Sequence, residues 1–291
     1  MHPTEVLRRF NRTYTQRIGV LDDSFLGTGR PLAASRLLFE VGSGAPAGVR
    51  ELRARLDLDS GHLSRLLRRL EDDGLVATVV DPGDRRRRVV ELTPAGRQAY
   101  DDLELRSEER AAALVAPLTP RQQERLAAAL ATADLLVRAA TVHLRQVASD
   151  DPVAREATRR YVAELDRRFP GGFDPGGPDL PEPGATYVVA TSAGEPVAYG
   201  GIRPVLDERT AEIKRMWVDG AWRGAGLGSR MLRHLEDLAR ERGFGRVVLD
   251  TNGTLAEAVA MYDRAGYVRI ERYNDNPYAE AFFAKELSSA S

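Results

Sequence analysis

The 291-residue chain contains no cysteine. That absence excludes a disulfide framework, thiolate metal ligands and a cysteine nucleophile. Histidine is nearly absent: His2, His62, His143 and His234 stand far apart, and no two have the spacing of a helical metal pair, so no metal site is expected. Lysine occurs only at Lys214 and Lys285, leaving arginine to carry the positive charge. No apolar run approaches the roughly 18 residues needed to cross a bilayer, and the first twenty residues lack the apolar core of a secretory signal. A cytoplasmic protein with no membrane partner is expected. Net charge is −1, so the chain as a whole does not advertise a polyanion partner. Any such role must come from local clusters.

What is present divides in two. The length is about twice a common domain span of roughly 150 residues. Residues 1–138 read mainly as helices; residues 140–291 alternate strand and helix. In the first part Leu7, Phe10, Tyr14, Ile18 and Leu21 recur at helical spacing, predicting one amphipathic helix over 3–25. Further helices are expected over 32–41 and 49–56. A three-residue turn leads to a longer helix ending near Asp72, which Asp59 or Ser60 can cap. On that helix Leu63, Leu66, Leu67 and Leu70 form an apolar stripe, leaving Ser60, His62, Ser64, Arg65, Arg68 and Arg69 on the other faces. Short polar residues near its start suit reading of base edges in a groove, and arginines further along can reach phosphates. Residues 75–80 and 88–92 then read as a hairpin whose turn gathers Arg85, Arg86, Arg87 and Arg88. Thr93-Pro94 and Thr119-Pro120 each open another helix, the second running to about Arg138.

This order resembles the MarR family of winged-helix regulators. The wing pattern is carried by Asp84-x-Arg86 followed by Leu92-Thr93-Pro94-Ala95-Gly96. The resemblance implies that Arg86 reaches a minor groove while Asp84 orients it. It also implies a homodimer formed through helices near 3–25 and 97–138, with double-stranded DNA as partner.

In the second part a strand is expected at 141–147, a helix at 152–169 and a hairpin from 187–191 and 196–203. A strand over 211–218 follows, then a helix from Gly226 to Arg242, a strand at 247–250 and a helix at 255–265. Strands at 267–270 and 281–287 close the sheet. The Pro- and Gly-rich residues 170–184 read as a long loop. Between the 211–218 strand and the next helix lies Arg223-Gly224-Ala225-Gly226-Leu227-Gly228-Ser229. A helix start offers free N–H groups and a positive dipole end, and glycines let a diphosphate approach the backbone. A dinucleotide reading fits only loosely, because antiparallel hairpins precede this strand where a βαβ unit would be needed.

These residues resemble the GNAT family of acetyl-CoA-dependent N-acetyltransferases. Its R/Q-x-x-G-x-G/A loop is Arg223-x-x-Gly226-x-Gly228, followed by VVLDTN at 247–252 and AVAMYDRAGYV at 258–268. The resemblance implies a mixed α/β sheet with acetyl-CoA as cosubstrate and no metal. The backbone of Met216, Trp217 and Val218 would hold the pantetheine arm, the amides of 223–229 the diphosphate, and Asn252 the arm or its splayed end. Tyr262 would protonate the leaving thiolate, the Val218 N–H would stabilise the oxyanion, and Glu212 is the candidate base. Strand alternation puts Glu212, Lys214 and Met216 on one face, so Lys214 can pair with Glu212, and a structural ion pair is the alternative to the base role. Arg167, Arg168, Phe169, Tyr273, Asn274, Asp275, Asn276 and Tyr278 are candidates for the acceptor end. The whole chain then reads as a DNA-binding regulator fused to a transferase for a small amine. The alternative is a regulator whose second half only senses acetyl-CoA or an amine.

Overall fold

The computed structural model describes residues 2–20, 22–44, 46–81, 83–175, 184–192 and 194–287. The chain divides into two compact units, Met1–Ala128 and Ala129–Ser291.

The first unit packs helices over a small three-stranded sheet. Its elements are α1 (Pro3–Arg17), α2 (Leu32–Gly42), β1 (Ala47–Gly48), α3 (Val49–Leu56), α4 (Ser60–Asp72), β2 (Val76–Val80), β3 (Arg88–Leu92) and α5 (Pro94–Val115). The sheet order is β1-β3-β2, all antiparallel. Leu37 and Leu38 of α2, Leu52 of α3, and Leu63, Leu66, Leu67 and Leu70 of α4 close one core against Val76 and Val90. A fully buried leucine contributes roughly 1.5–3 kcal/mol. The α4 stripe alone therefore outweighs the propensity costs of its polar neighbours. Asp59 caps α4 by accepting the His62 N–H at 2.8 Å.

Helix α1 is shorter than its apolar spacing predicts. It ends at Arg17, and Gly19 follows in the left-handed region at φ 72°, where the chain leaves the helical path. Leu21 lies outside the described residues.

Helix α6 spans Pro120–Thr141. It continues three residues beyond the expected stop at Arg138, so the next strand starts at His143 rather than Thr141.

The second unit contains β4 (His143–Val147), α7 (Pro152–Arg168), β5 (Thr186–Ser192), β6 (Glu195–Val205) and β7 (Asp207–Val218). It continues with α8 (Leu227–Glu241), β8 (Arg246–Thr251), α9 (Ala256–Arg264), β9 (Val268–Arg269) and β10 (Ala281–Glu286). The seven strands lie in the order β4-β5-β6-β7-β8-β10-β9. All neighbours are antiparallel except β7 and β8, which are parallel. β9 is only two residues long where four are expected. Most of the 170–184 loop lies outside the described residues.

Helices cover both faces of this sheet. Alternation sorts the contacts: Val188 and Ala190 of β5 face Met231, Leu232 and Leu235 of α8, while Tyr187 and Val189 face Ala154 and Ala157 of α7. The parallel pairing of β7 and β8 lasts only for Thr210↔Arg246, Ala211↔Val247 and Glu212↔Val248. Beyond Glu212 the edge of β7 facing β8 has no ladder partner among the described residues. The two strands part there, opening the sheet beside the start of α8.

Candidate functional site

The parting of β7 and β8 is assisted by a bulge. Opposite β6, Gly201 pairs with Lys214 and Tyr199 with Trp217, so β7 carries an extra residue between them. Arg215 sits in that stretch at φ 53°, a conformation that costs a side-chain-bearing residue energy and persists only where surroundings enforce it. Its guanidinium lies 5.8 Å from the Tyr187 ring centroid. The bulge falls after Lys214, so Glu212 and Lys214 keep one face and only Met216 loses its simple face assignment.

Next to the opening, the 223–229 turn enters α8 through Gly224 at φ 82° and Gly226 at φ 76°. A Cβ built on either glycine would meet nothing within 4 Å, so the turn is open rather than filled by side chains. Among the described residues, the N–H groups of Leu227, Gly228 and Ser229 find no backbone acceptor; the first helical bond is donated by Arg230 to the Gly226 carbonyl at 3.0 Å. Three free donors at a positive helix end form an anion cradle. They border a cavity of about 840 Å³, whose wall includes Met216, Trp217, Val218, Arg223, Gly224, Gly226, Leu227, Gly228, Ser229, Asn252 and Tyr262. Ala225 is half-buried in the same turn and packs against the sheet core.

Several side chains here are already engaged. The Arg223 guanidinium is ion-paired with Glu164, which also accepts the Trp217 indole N–H at 3.0 Å. Asn252 donates to the Tyr278 carbonyl at 2.7 Å and accepts from the Thr254 N–H and hydroxyl, stitching the parted strand to the tail segment. Tyr262 is 5% exposed, with its ring against Tyr267 and Phe283 at 5.8 and 5.7 Å. Burial, followed by the nearby Tyr161 and Asp250, pushes its phenol pKa upward.

Glu212 is 2% exposed, and both its oxygens are occupied. Oε2 accepts the Arg203 Nε–H at 2.6 Å; Oε1 accepts the Tyr273 hydroxyl at 2.9 Å and the Asn274 amide at 3.3 Å. The Lys214 partner that alternation allows is thus replaced by Arg203, which lies directly across the ladder from Glu212. Asn274 also donates to Asp250 at 3.2 Å, and Asn276 donates to the same Asp250 oxygen at 2.8 Å.

Of the remaining acceptor-end candidates, Phe169 stacks on Tyr278 at 5.8 Å and both line the cavity. Arg168 lines it too, paired with Glu257 at 2.8 Å and Glu164 at 3.4 Å. Arg167 does not line it: it is exposed and borders an adjoining cleft with Arg159 and Arg160. Asp250, Tyr161, Phe173 and Glu164 were not singled out in the sequence, yet all four line the cavity.

In the first unit, Ser60, Ser64, Arg65, Arg68 and Arg69 are exposed on the face of α4 opposite its leucines, and His62 is half-buried near the helix start. Asp84 accepts the backbone N–H of Arg86 at 2.9 Å, so it fixes the turn rather than gripping the guanidinium. Arg85, Arg86 and Arg88 are exposed. Arg87 does not join them at the tip: it folds back onto Glu51 at 2.6 Å and Asp81 at 3.0 Å.

Among the described residues, no group of three or more His, Asp or Glu could hold a metal ion, and no helix is long and apolar enough to cross a membrane.

A sheet opened between two parallel strands beside a glycine-started helix defines an acyl-CoA-dependent acyltransferase fold. Residues 144–267 match the model of the acetyltransferase (GNAT) family, and residues 28–87 match the model of the MarR family. An uncharacterized N-acetyltransferase, YjgM of Escherichia coli, is 32% identical over 136 residues, covering 44% of this chain and 81% of the relative. The IAA acetyltransferase of Azospirillum brasilense is 30% identical over 128 residues, covering 42% and 82%. A probable transcriptional regulator from Pseudomonas aeruginosa aligns with a TM-score of 0.36 at 26% identity, covering 45% of this chain and 95% of that one. The chain belongs to the GNAT acetyltransferase family, and residues 28–87 of its first unit match the MarR-family model.

Proposed function

We propose that the protein is a DNA-binding transcriptional regulator and an acetyl-CoA-dependent N-acetyltransferase of a small amine. The DNA-binding and dimerising part is assigned to residues 1–138 and the transferase to 140–291. The observation that carries the transferase reading is the free N–H cradle of Leu227, Gly228 and Ser229 opening onto the cavity between the parted strands.

The residues present fit the donor. The cradle amides hold the diphosphate, and the unladdered edge of Met216–Val218 offers backbone groups to the extended arm. Bound acetyl-CoA supplies an acetyl group activated as a thioester. The Val218 N–H, aimed into the cavity, stabilises negative charge developing on the acetyl oxygen. Tyr262 holds a proton for the departing sulfur. Calorimetry with acetyl-CoA and thiol release across an amine panel test the reading. Acetyl-CoA binding without turnover of any amine would favour a sensor over an enzyme.

Two exposed features support the regulator half. The first is α1, none of whose residues is buried. It presents Val6, Leu7, Phe10 and Tyr14, with Leu7 57% exposed, and Leu105 and Leu114 of α5 are exposed as well. An apolar stripe of this kind on a folded unit calls for a partner, and a second copy of the chain is the reading. Replacing Leu7 and Phe10 together by glutamate is expected to yield a monomer in light scattering. Loss of the dimer should also remove binding to half-sites about 10 bp apart.

The second feature is the wing tip with α4. Arg86→Ala is expected to weaken operator binding about tenfold and to reduce the salt slope by about one. Gel shifts against the protein's own upstream region over a salt series read both quantities. Unchanged affinity would remove Arg86 from the interface.

A further inference from the structure

Two carboxylates stand where the strands part, and they are in opposite electrostatic states. Glu212 is buried, neutralised by Arg203 at 2.6 Å, and donated to on both oxygens. Asp250, two residues beyond the last β7–β8 pair on β8, is half-buried and lines the cavity. Its recorded partners are two neutral amides, Asn274 and Asn276, and both donate to Oδ2. Among the described residues Asp250 takes part in no ion pair, and its Oδ1 has no recorded donor.

Neutral amides orient a carboxylate without cancelling its charge. A half-buried carboxylate in that state gains from a cation that completes it, the more so as a ligand displaces water from the cavity. The negative charge is felt nearby. Tyr161 is pushed up to about 12 by burial; Arg215 pulls against this, and Asp250 adds a smaller upward push. Asp250 also adds to the upward shifts of Tyr262 and Tyr273, which are dominated by burial.

Part of the cavity lining is aromatic. Phe173 lies 4.8 Å from Tyr278, 5.8 Å from Phe169 and 6.2 Å from Tyr161, centroid to centroid. Asp174 donates its backbone N–H to the Tyr278 hydroxyl at 2.9 Å, tying the Phe173 segment to the tail. Rings at 4.5–7 Å in tilted and edge arrangements suit a further flat apolar group. The cavity thus combines a four-ring wall with a carboxylate that, among the described residues, has no ion-pair partner.

We infer that the acceptor is a primary amine on an aromatic or similarly flat apolar body, with its ammonium on Asp250 Oδ1 and its body against Phe169, Phe173 and Tyr278. This deepens the transferase reading and rests on it. Asp250 is then the catalytic residue that meets the amine, and Glu212 is a positioning residue that anchors Tyr273 and Asn274. The nitrogen loses two protons as its bond to the acetyl carbon forms and the carbon–sulfur bond breaks. The first passes through Asp250 to bulk water. The second replaces the proton that Tyr262 gives to the sulfur. One proton is released per turnover and no other reactant is needed.

The probe is phenethylamine, titrated calorimetrically into the full chain in the presence of CoA and assayed by thiol release with acetyl-CoA. Asp250→Asn keeps a side-chain oxygen for Asn274 and Asn276 but removes the charge. It is expected to raise the Kd of phenethylamine at least tenfold and to lower kcat/KM about 10²–10⁴-fold. Acetyl-CoA affinity should stay unchanged, which reports an intact fold; should the variant fail that check, Asp250→Ser replaces it. Phe173→Ala is expected to raise KM for phenethylamine about tenfold while leaving that for propylamine within about threefold. Unchanged phenethylamine affinity in Asp250→Asn overturns the inference. So does a wild-type protein that binds acetyl-CoA but neither binds nor acetylates phenethylamine. A wild-type protein that does not bind acetyl-CoA at all removes the transferase reading together with the inference.

Discussion

Tyr262→Phe is expected to lower kcat by about 10²–10⁴-fold while leaving acetyl-CoA affinity within about threefold. The substitution removes one hydroxyl and nothing else. The ring of Tyr262 is held by Tyr267 and Phe283, and it is 5% exposed in the core beneath α8, so phenylalanine keeps the packing. What disappears is the proton. Desolvation by burial comes first among the causes that raise the phenol pKa, and the charge of Asp250 acts in the same direction. The group therefore stays protonated throughout the working pH range and can only donate. A raised pKa by itself makes a weaker acid. The same desolvation acts on a thiolate leaving inside the cavity, raising its basicity in parallel. The pair stays matched although both have moved. Because donation matters only as the sulfur departs, the loss should fall on kcat rather than on binding. Stopped-time thiol release with saturating amine checks this; a kcat within about threefold of wild type would remove Tyr262 from the proton path.

The parts of this site that could be read in the sequence are those whose chemistry is local. Gly224 and Gly226 occupy left-handed positions at the entrance to a helix, and only the residues in that turn decide this. The leucine stripe of α4 and the Thr93 cap are equally local. The acceptor wall was harder to see because it depends on chain returns. Asp250 meets Asn274 and Asn276 across 24 and 26 residues, and neither spacing carries a periodic signal. Within VVLDTN the aspartate is one polar residue in a buried strand, and nothing local distinguishes a site acid from a solvated one. Arg203 meets Glu212 through the β6–β7 register, a pairing that requires knowing where the bulge falls. Alternation selected Lys214 instead because it compares residues of one strand only and does not see what stands across the ladder. The same reasoning applies at the wing. Four consecutive arginines look equivalent in a sequence, but Glu51 lies 36 residues away and removes Arg87 from the tip. Between Arg167 and Arg168, helical phase near the end of α7 decides which reaches the cavity, and a one-residue error exchanges them.

Gly96→Ala is expected to destabilise the winged-helix unit by about 3 kcal/mol or more and to abolish operator binding. The start of α5 is clamped to the start of the hairpin. The Thr93 N–H donates to the Leu75 carbonyl at 3.0 Å, the Thr93 hydroxyl donates to the Gly74 carbonyl at 2.6 Å, and the same hydroxyl oxygen accepts the Gly96 N–H at 2.9 Å. These bonds draw Gly96 so close to Leu75 that a Cβ would lie 1.8 Å from its carbonyl oxygen and 2.8 Å from its carbonyl carbon. The obstacle is backbone, so no rotamer change relieves it. The helix must move off the strand, and the clamp bonds that fix the root of the wing must lengthen or break. A domain stable by roughly 5–15 kcal/mol tolerates such a loss poorly. Each kcal/mol lost should lower the melting midpoint by about 4 °C in a unit of this size. Ala95→Ser, on the exposed residue just before it, should stay within about 0.5 kcal/mol of wild type. Melting curves and gel shifts on the two variants separate the requirement for a missing side chain at one position from a general sensitivity of the helix start. If Gly96→Ala melted and bound DNA like the wild type, the close approach of α5 to Leu75 could not be what holds the wing beside α4.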